Sequence, residues 1–148
     1  MKTKQQMFGD KTEQKIAKFC FKKNGFWCYI TPKKISGQPV DIVAMKNGEN
    51  WLVDAKHIEP NHTSFPFSYI QPNQIDTMTY AKTKCGIKNL GFVISNESEE
   101  DLNCKIDDFR PLFLSFDKLT EIMETGRKSA KISELEDFME VLKNDSKD

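Results

Sequence analysis

Gly37-Gln38-Pro39-Val40-Asp41-Ile42-Val43-Ala44 and Asn50-Trp51-Leu52-Val53-Asp54-Ala55-Lys56 are the stretches whose reading decides the fold. Both read as strands, and Asn47-Gly48 between them is a two-residue hairpin signal. Paired antiparallel, the runs bring Asp41 and the Asp54/Lys56 pair to the same end of a sheet. Alternate side chains of a strand share a face, so Asp54 and Lys56 project together while Ala55 points the other way. Two carboxylates and one ammonium at a sheet edge form a small metal site with a charged neighbour, an arrangement suited to phosphodiester cleavage. The alternative is an Asp-x-Lys tripeptide that serves solubility at an exposed strand edge.

Magnesium is a hard cation that takes one or two carboxylates together with waters and phosphate oxygens. Asp41 and Asp54 are the candidate carboxylate ligands, and the Ala55 backbone carbonyl is a third oxygen. A bound cation offsets the repulsion that otherwise raises one carboxylate pKa. It also activates a water and polarises a phosphate. Lys56 is placed to hold that water or to stabilise charge in the transition state.

Two further residues join the candidate site. Asp10 to Lys23 reads as a helix on which Glu13, Ile16, Ala17 and Cys20 share one face. A carboxylate on an apolar stripe needs a cation or a metal, because burying it alone is costly. The other reading of Glu13 is a first-turn residue that favours the helix dipole. Gln74 opens a second helix, which runs to about Lys84 and is stopped by Cys85-Gly86. Free N–H groups at such a helix start suit a phosphate or an ordered water, and the alternative for Gln74 is a solvent-facing first-turn position.

The ordered set Gly9-x-x-x-Glu13, Asp41, Asp54-Ala55-Lys56, Thr63-Ser64-Phe65-Pro66 and Asn73-Gln74-Ile75-Asp76-Thr77-Met78 resembles the RecU-type Holliday junction resolvases of the PD-(D/E)xK nuclease superfamily. The resemblance runs from roughly Gly9 to Leu119, and the Ser-Phe-Pro element is its more specific marker. It implies metal-binding roles for Asp41 and Asp54, a catalytic role for Lys56, an accessory acidic role for Glu13, and correspondence of Gln74 to the family's helix glutamine. Asp54 stands where these resolvases usually carry Glu, and Asn73 where they usually carry His. They also insert a basic stalk between the first two strands, where this chain has only Thr31 to Gln38.

A chain of 148 residues with 38% hydrophobic and 30% charged residues suits one soluble domain spanning residues 1–148, with a frayed tail from Asn144 to Asp148. The absence of a long apolar run or a signal peptide points to a cytoplasmic protein of a bacterium or a phage-infected cell, without a membrane partner. Cys20, Cys28, Cys85 and Cys104 lack zinc spacing and read as reduced apolar fillers, and His57 and His62 have no matching ligand pair. The net charge is zero but unevenly spread. Met1 to Ile35 holds nine lysines against Asp10 and Glu13, while Asn96 to Phe109 and Ser133 to Asp148 hold six acids each. Lys11, Lys15, Lys33 and Lys34, with the Thr63 and Ser64 hydroxyls, are the candidate DNA contacts. A solvated helix face is the competing account of Lys15.

Strands are expected at Phe26–Thr31, Asp41–Lys46, Asn50–Lys56, Asn89–Ser95 and Pro111–Ser115. Helices are expected at Phe116–Thr125 and after a capping box in Ile132-Ser133-Glu134-Leu135-Glu136, with Leu135, Phe138, Met139 and Leu142 as the last apolar stripe. The helical crossover makes the third and fourth strands parallel. The expected fold is therefore α/β, a restriction-endonuclease-like PD-(D/E)xK core with a mixed central sheet of about five strands flanked by helices. The expected function is a magnesium-dependent endonuclease on branched DNA such as Holliday junctions, with manganese able to substitute. Symmetric cutting of a junction needs two sites and so a homodimer. The alternatives are a nuclease of ordinary duplex and an inactive nuclease fold that only binds.

Overall fold

The computed structural model describes residues 4–32, 40–103 and 109–145. Lys33, Lys34, Cys104 and the tail beyond Asp145 lie outside the described residues. The chain starts with helix α1 (Lys4–Lys15), which continues as a π-helix over Ile16–Phe21 and a 3-10 turn over Lys22–Asn24. The wider π turn sets residues five apart in line. Ile16 and Phe21, together with Ala17 and Cys20, are thereby buried against the sheet. Gly25, at φ 85°, ends the helix in a left-handed conformation that favours glycine.

Six strands then build the central sheet in the order β1-β2-β3-β5-β6-β8. They are β1 (Trp27–Ile30), β2 (Ile42–Lys46), β3 (Glu49–His57), β5 (Asn89–Ser95), β6 (Leu112–Ser115) and β8 (Glu136–Asp137). Asn47 and Gly48 both take positive φ, 49° and 84°, and close the β2–β3 hairpin as expected. The β3 strand runs parallel to β5, with helix α2 (Pro72–Cys85) as the crossover, and the other pairings are antiparallel. Gly91 sits in β5 opposite Ser115 of β6, close to the neighbouring strand. A Cβ there would lie 2.5 Å from the Leu114 carbonyl oxygen and 2.8 Å from the Phe113 ring.

The sheet separates two cores. On one face Trp51 and Val53 pack with Ile16, Cys20, Phe21, Phe113 and Phe138. Edge-to-face ring pairs join Phe21, Trp51 and Phe138 at 5.5 to 6.2 Å. On the other face Leu90, Phe92 and Ile94 meet Met78 of α2 and Phe116, Leu119 and Ile122 of α4 (Phe116–Glu124).

The sequence reading differs from the structure at four places. The first helix begins earlier than Asp10. The polar-aromatic segment after His57 contributes β4 (Ser64–Pro66), which pairs with β7 (Ser129–Lys131) in a second, two-stranded sheet. The acidic segment contains a short helix, α3 (Glu99–Asn103), packed on α1. The last helix, α5 (Phe138–Asp145), starts later than its sequence signal. Glu136 and Asp137 pair with Phe113 and Leu112 instead, and the Asp137 carboxylate caps α5 by accepting from Met139 N at 2.9 Å. Leu135 therefore packs with the second core while Phe138, Met139 and Leu142 pack with the first. Strands of two or three residues carry too little alternation to be read from sequence. This is why five strands were expected in a sheet that has six.

Candidate active site

The β2–β3 register sets Ile42 against Val53, so Asp41, one residue before the strand, falls opposite Asp54. Each carboxylate is fixed by the other residue's backbone. Asp41 N donates to Asp54 Oδ1 at 3.0 Å, and Ala55 N donates to Asp41 Oδ2 at 2.9 Å. The Asp41 amide also reaches the Val53 carbonyl, and the Asp41 carbonyl accepts from Thr31 N at 2.9 Å, tying the pair to the end of β1. Thr31 was not singled out in the sequence, since its role comes only from strand pairing.

Asp54 is fully buried, and its Oδ2 accepts no hydrogen bond from a protein donor. Burial and, after it, the Asp41 charge push its pKa up to about 8, against the pull of the Lys56 charge. At neutral pH Asp54 therefore holds a proton beside the Asp41 carboxyl. Such a pair suits a divalent cation. Oxygen donors, a buried carboxylate oxygen lacking a donor and mutual repulsion are all features that a bound hard cation relieves.

Lys56 projects on the same face as Asp54. Its Nζ donates to Gln74 Oε1 at 3.1 Å. The same Gln74 oxygen accepts from Gln71 N at 3.0 Å, so it caps α2 and holds the lysine at once. Gln74 is buried, in contrast to the solvent-facing alternative. Gln71, the helix N-cap, was missed because only the folded helix start reveals its part.

Glu13 is 2% exposed and lies on α1, the helix that packs against β3. Among the described residues no three His, Cys, Asp or Glu side chains converge as a group that could hold a metal ion. Lys15 is buried, with Nζ on Glu97 Oε2 at 3.0 Å and on the Asp101 carbonyl at 2.9 Å. Its charge is thus spent inside the protein rather than offered to a phosphate, because the acidic segment folds back on α1. Lys11 is exposed and reaches Asn103. Thr63 is exposed and its carbonyl accepts from Ile132 N, while Ser64 is half-buried in β4 opposite Lys131. Phe65 is fully buried, and Phe67 packs at the edge of the same core.

No family model matches the chain, and no curated protein matches it. A solved structure does: Hjc of Archaeoglobus fulgidus, a Holliday junction resolvase from an archaeal hyperthermophile, aligns with 90% of this chain and 99% of its own, with a TM-score of 0.58. The fold is the Hjc nuclease fold. At 14% identity the likeness is one of architecture, and it does not single out the RecU branch. Among the described residues no helix is long and apolar enough to cross a membrane.

Proposed function

We propose that this chain is a divalent-metal-dependent endonuclease that hydrolyses phosphodiesters in branched DNA, four-way junctions included. The observation that carries the reading is the reciprocal clasp of Asp41 and Asp54, with Lys56 held beside it by Gln74. The Hjc fold supports it. The ordered set from Glu13 through Ser64-Phe65-Pro66 to Gln74 favours the RecU-type branch of that fold.

Asp41, Asp54 and the Ala55 carbonyl would hold magnesium, or manganese in its place. That ion would supply polarisation of the scissile phosphate and a water of lowered pKa. Asp54 would stand as a carboxylate with that ion bound, its proton passing to solvent. The backbone hydrogen bonds to both carboxylates fix the pair before substrate arrives, so little reorganisation is needed. Lys56 keeps its ammonium near the pair and stabilises charge building on the phosphoryl oxygens. Water adds to phosphorus, one bridging P–O bond breaks, and the leaving oxygen takes up a proton. Exposed Lys11 and Thr63, with Ser64 next to Thr63 in the sequence, are the phosphate contacts that this reading retains among the described residues. One site cuts one strand, so paired cuts across a junction call for a homodimer.

The test is cleavage of a labelled four-way junction beside a linear duplex of the same sequence, with magnesium, and with EDTA and Asp54→Ala as controls. Paired symmetric nicks in the junction alone are expected. Equal cutting of both would move the reading to a general duplex nuclease. Lys56→Ala should lower cleavage by about 100-fold or more while junction binding persists, and full activity in that variant would remove the role assigned to the lysine.

A further inference from the structure

The face of the sheet that carries the carboxylate pair continues across β2 and β1 to an exposed edge. Trp27 is 59% exposed, Tyr29 47% and Met45 46%. Trp27 is opposite Met45 and Tyr29 opposite Val43, so these four share one face. Val43 and Asp41 are two residues apart on the same strand, and Val43 is opposite Leu52, two residues before Asp54. The aromatic rows therefore lead straight into the site. Tyr29 is the diagonal neighbour of Asp41, a separation of roughly 7–8 Å in an antiparallel pair. The Trp27 and Tyr29 rings lie within 4° of parallel, with centroids 6.4 Å apart.

We infer that Trp27 and Tyr29 form a stacking platform for an unpaired nucleobase of the DNA that enters the site. The inference rests on the nuclease reading for the identity of its ligand, but it is a separate binding claim. Outside the site and among the described residues, this surface presents Trp27, Tyr29, Met45 and Asn50 beside the half-buried Val43 and Leu52, with no charged side chain on these strands. These strand residues offer no cation for a phosphate and two ring faces for a base. Paired bases in a duplex keep their faces stacked, whereas bases freed at a branch, flap or end expose them. A second copy of the chain is the rival occupant. The exposed parts of Trp27, Tyr29 and Met45 amount to roughly 300–400 Å², well short of the roughly 800 Å² that each partner of a stable complex contributes. Continuity with the carboxylate pair is a feature that a base-stacking role requires and a dimer contact does not.

The chain has two tryptophans, and Trp51 is 1% exposed, so changes in the solvent-exposed emission report Trp27. The full chain is titrated in EDTA, which prevents cutting, with short oligothymidylate, with the same strand annealed to its complement, and with a base-free deoxyribose-phosphate strand. The single strand is expected to quench Trp27, and the duplex and the base-free strand to leave it bright. Trp27→Ala should weaken binding of the single strand by about 5- to 150-fold, the range for losing one base–aromatic stack. Trp27→Phe should keep most of the affinity. Equal quenching by the base-free strand, or unchanged affinity in Trp27→Ala, overturns the platform. So does a shift of Trp27→Ala towards a smaller species in sedimentation with DNA affinity intact, which assigns the face to a second copy. Quenching by single strand without magnesium-dependent cleavage supports the platform and sinks the nuclease reading. Cleavage with a silent Trp27 does the reverse.

Discussion

Replacing Asp54 by Asn should stabilise the metal-free protein, although it destroys the candidate site. Asp54 is fully buried and its pKa is pushed up to about 8 from an ordinary 3.8, by burial first and by the Asp41 charge second. Each pKa unit corresponds to about 1.4 kcal/mol. Between pH 4 and 8 the unfolded chain carries Asp54 ionised while the folded chain keeps it protonated, so folding takes up a proton. Stability from this group is complete below pH 4 and is lost as pH rises towards 8. At pH 7 the accumulated loss is at most about 4 kcal/mol. Asn retains an oxygen to accept from the Asp41 amide and carries no charge. A net gain of about 2 kcal/mol, or roughly 4–8 °C in Tm for a chain of this size, is therefore expected at pH 7–8. The gain should shrink towards zero near pH 4.

Thermal unfolding of wild type and Asp54→Asn in EDTA, followed from pH 4 to pH 9, measures this directly. Millimolar magnesium added at pH 8 should raise the Tm of wild type and leave the variant unchanged, because binding at the site relieves the repulsion that the variant lacks. If Asp54→Asn is less stable than wild type at pH 8 without metal, or if the difference between them does not vary with pH, the reasoning about a buried, repelled carboxylate is refuted.

Three other outcomes follow from named contacts. Gln74→Ala removes both the cap on Gln71 N and the restraint on Lys56. It should cost about 1 kcal/mol of stability in urea and lower kcat roughly 10- to 100-fold with KM little changed. Lys15→Met leaves Glu97 and the Asp101 carbonyl without their donor at a site where both ionic side chains are less than one-fifth exposed, and should cost about 2–3 kcal/mol by chemical denaturation. Gly91→Ala drives a methyl group to 2.5 Å from the Leu114 carbonyl oxygen, which the β5–β6 pairing holds in place. The expected loss is about 2–3 kcal/mol with no new spectral class of folded state, read by thermal unfolding.

The hairpin and its two aspartates were legible in the sequence because a two-residue turn fixes register, and register alone decides which side chains oppose each other. Asn47-Gly48 places Asp41 against Asp54 without help from distant contacts. The Gln74 helix was legible for a similar reason, since its start at Pro72 and its stop at Gly86 are local signals. What was hidden depended on pairing between remote segments. The β4–β7 sheet joins Ser64 to Lys131, and the acidic segment at Glu97 reaches back to Lys15. A lysine on a helix looks the same in sequence whether it faces solvent or a carboxylate supplied from a later strand end. Lys15 is such a case: read as a candidate phosphate contact, it bonds Glu97 and the Asp101 carbonyl.

The position of Asp54 argues for function independently of any family likeness. Along β3 the side chains before it obey burial rules: Trp51 and Val53 are apolar and buried, and Asn50 is polar and exposed. Asp54 breaks the pattern by placing a carboxyl, fully buried, in register with Phe92 and across from a second acid. A hydrophobic residue there would join the core that Phe92 and Ile94 already form, and the folded chain would be more stable. The charge of Lys56, which Gln74 also holds, pulls the Asp54 pKa down but does not offset burial and the Asp41 charge. A buried acid that lowers stability, fixed by backbone hydrogen bonds and facing another acid, is explained by a requirement for negative charge at that point. A bound divalent cation meets that requirement, which is why magnesium should change the stability of wild type and not of Asp54→Asn.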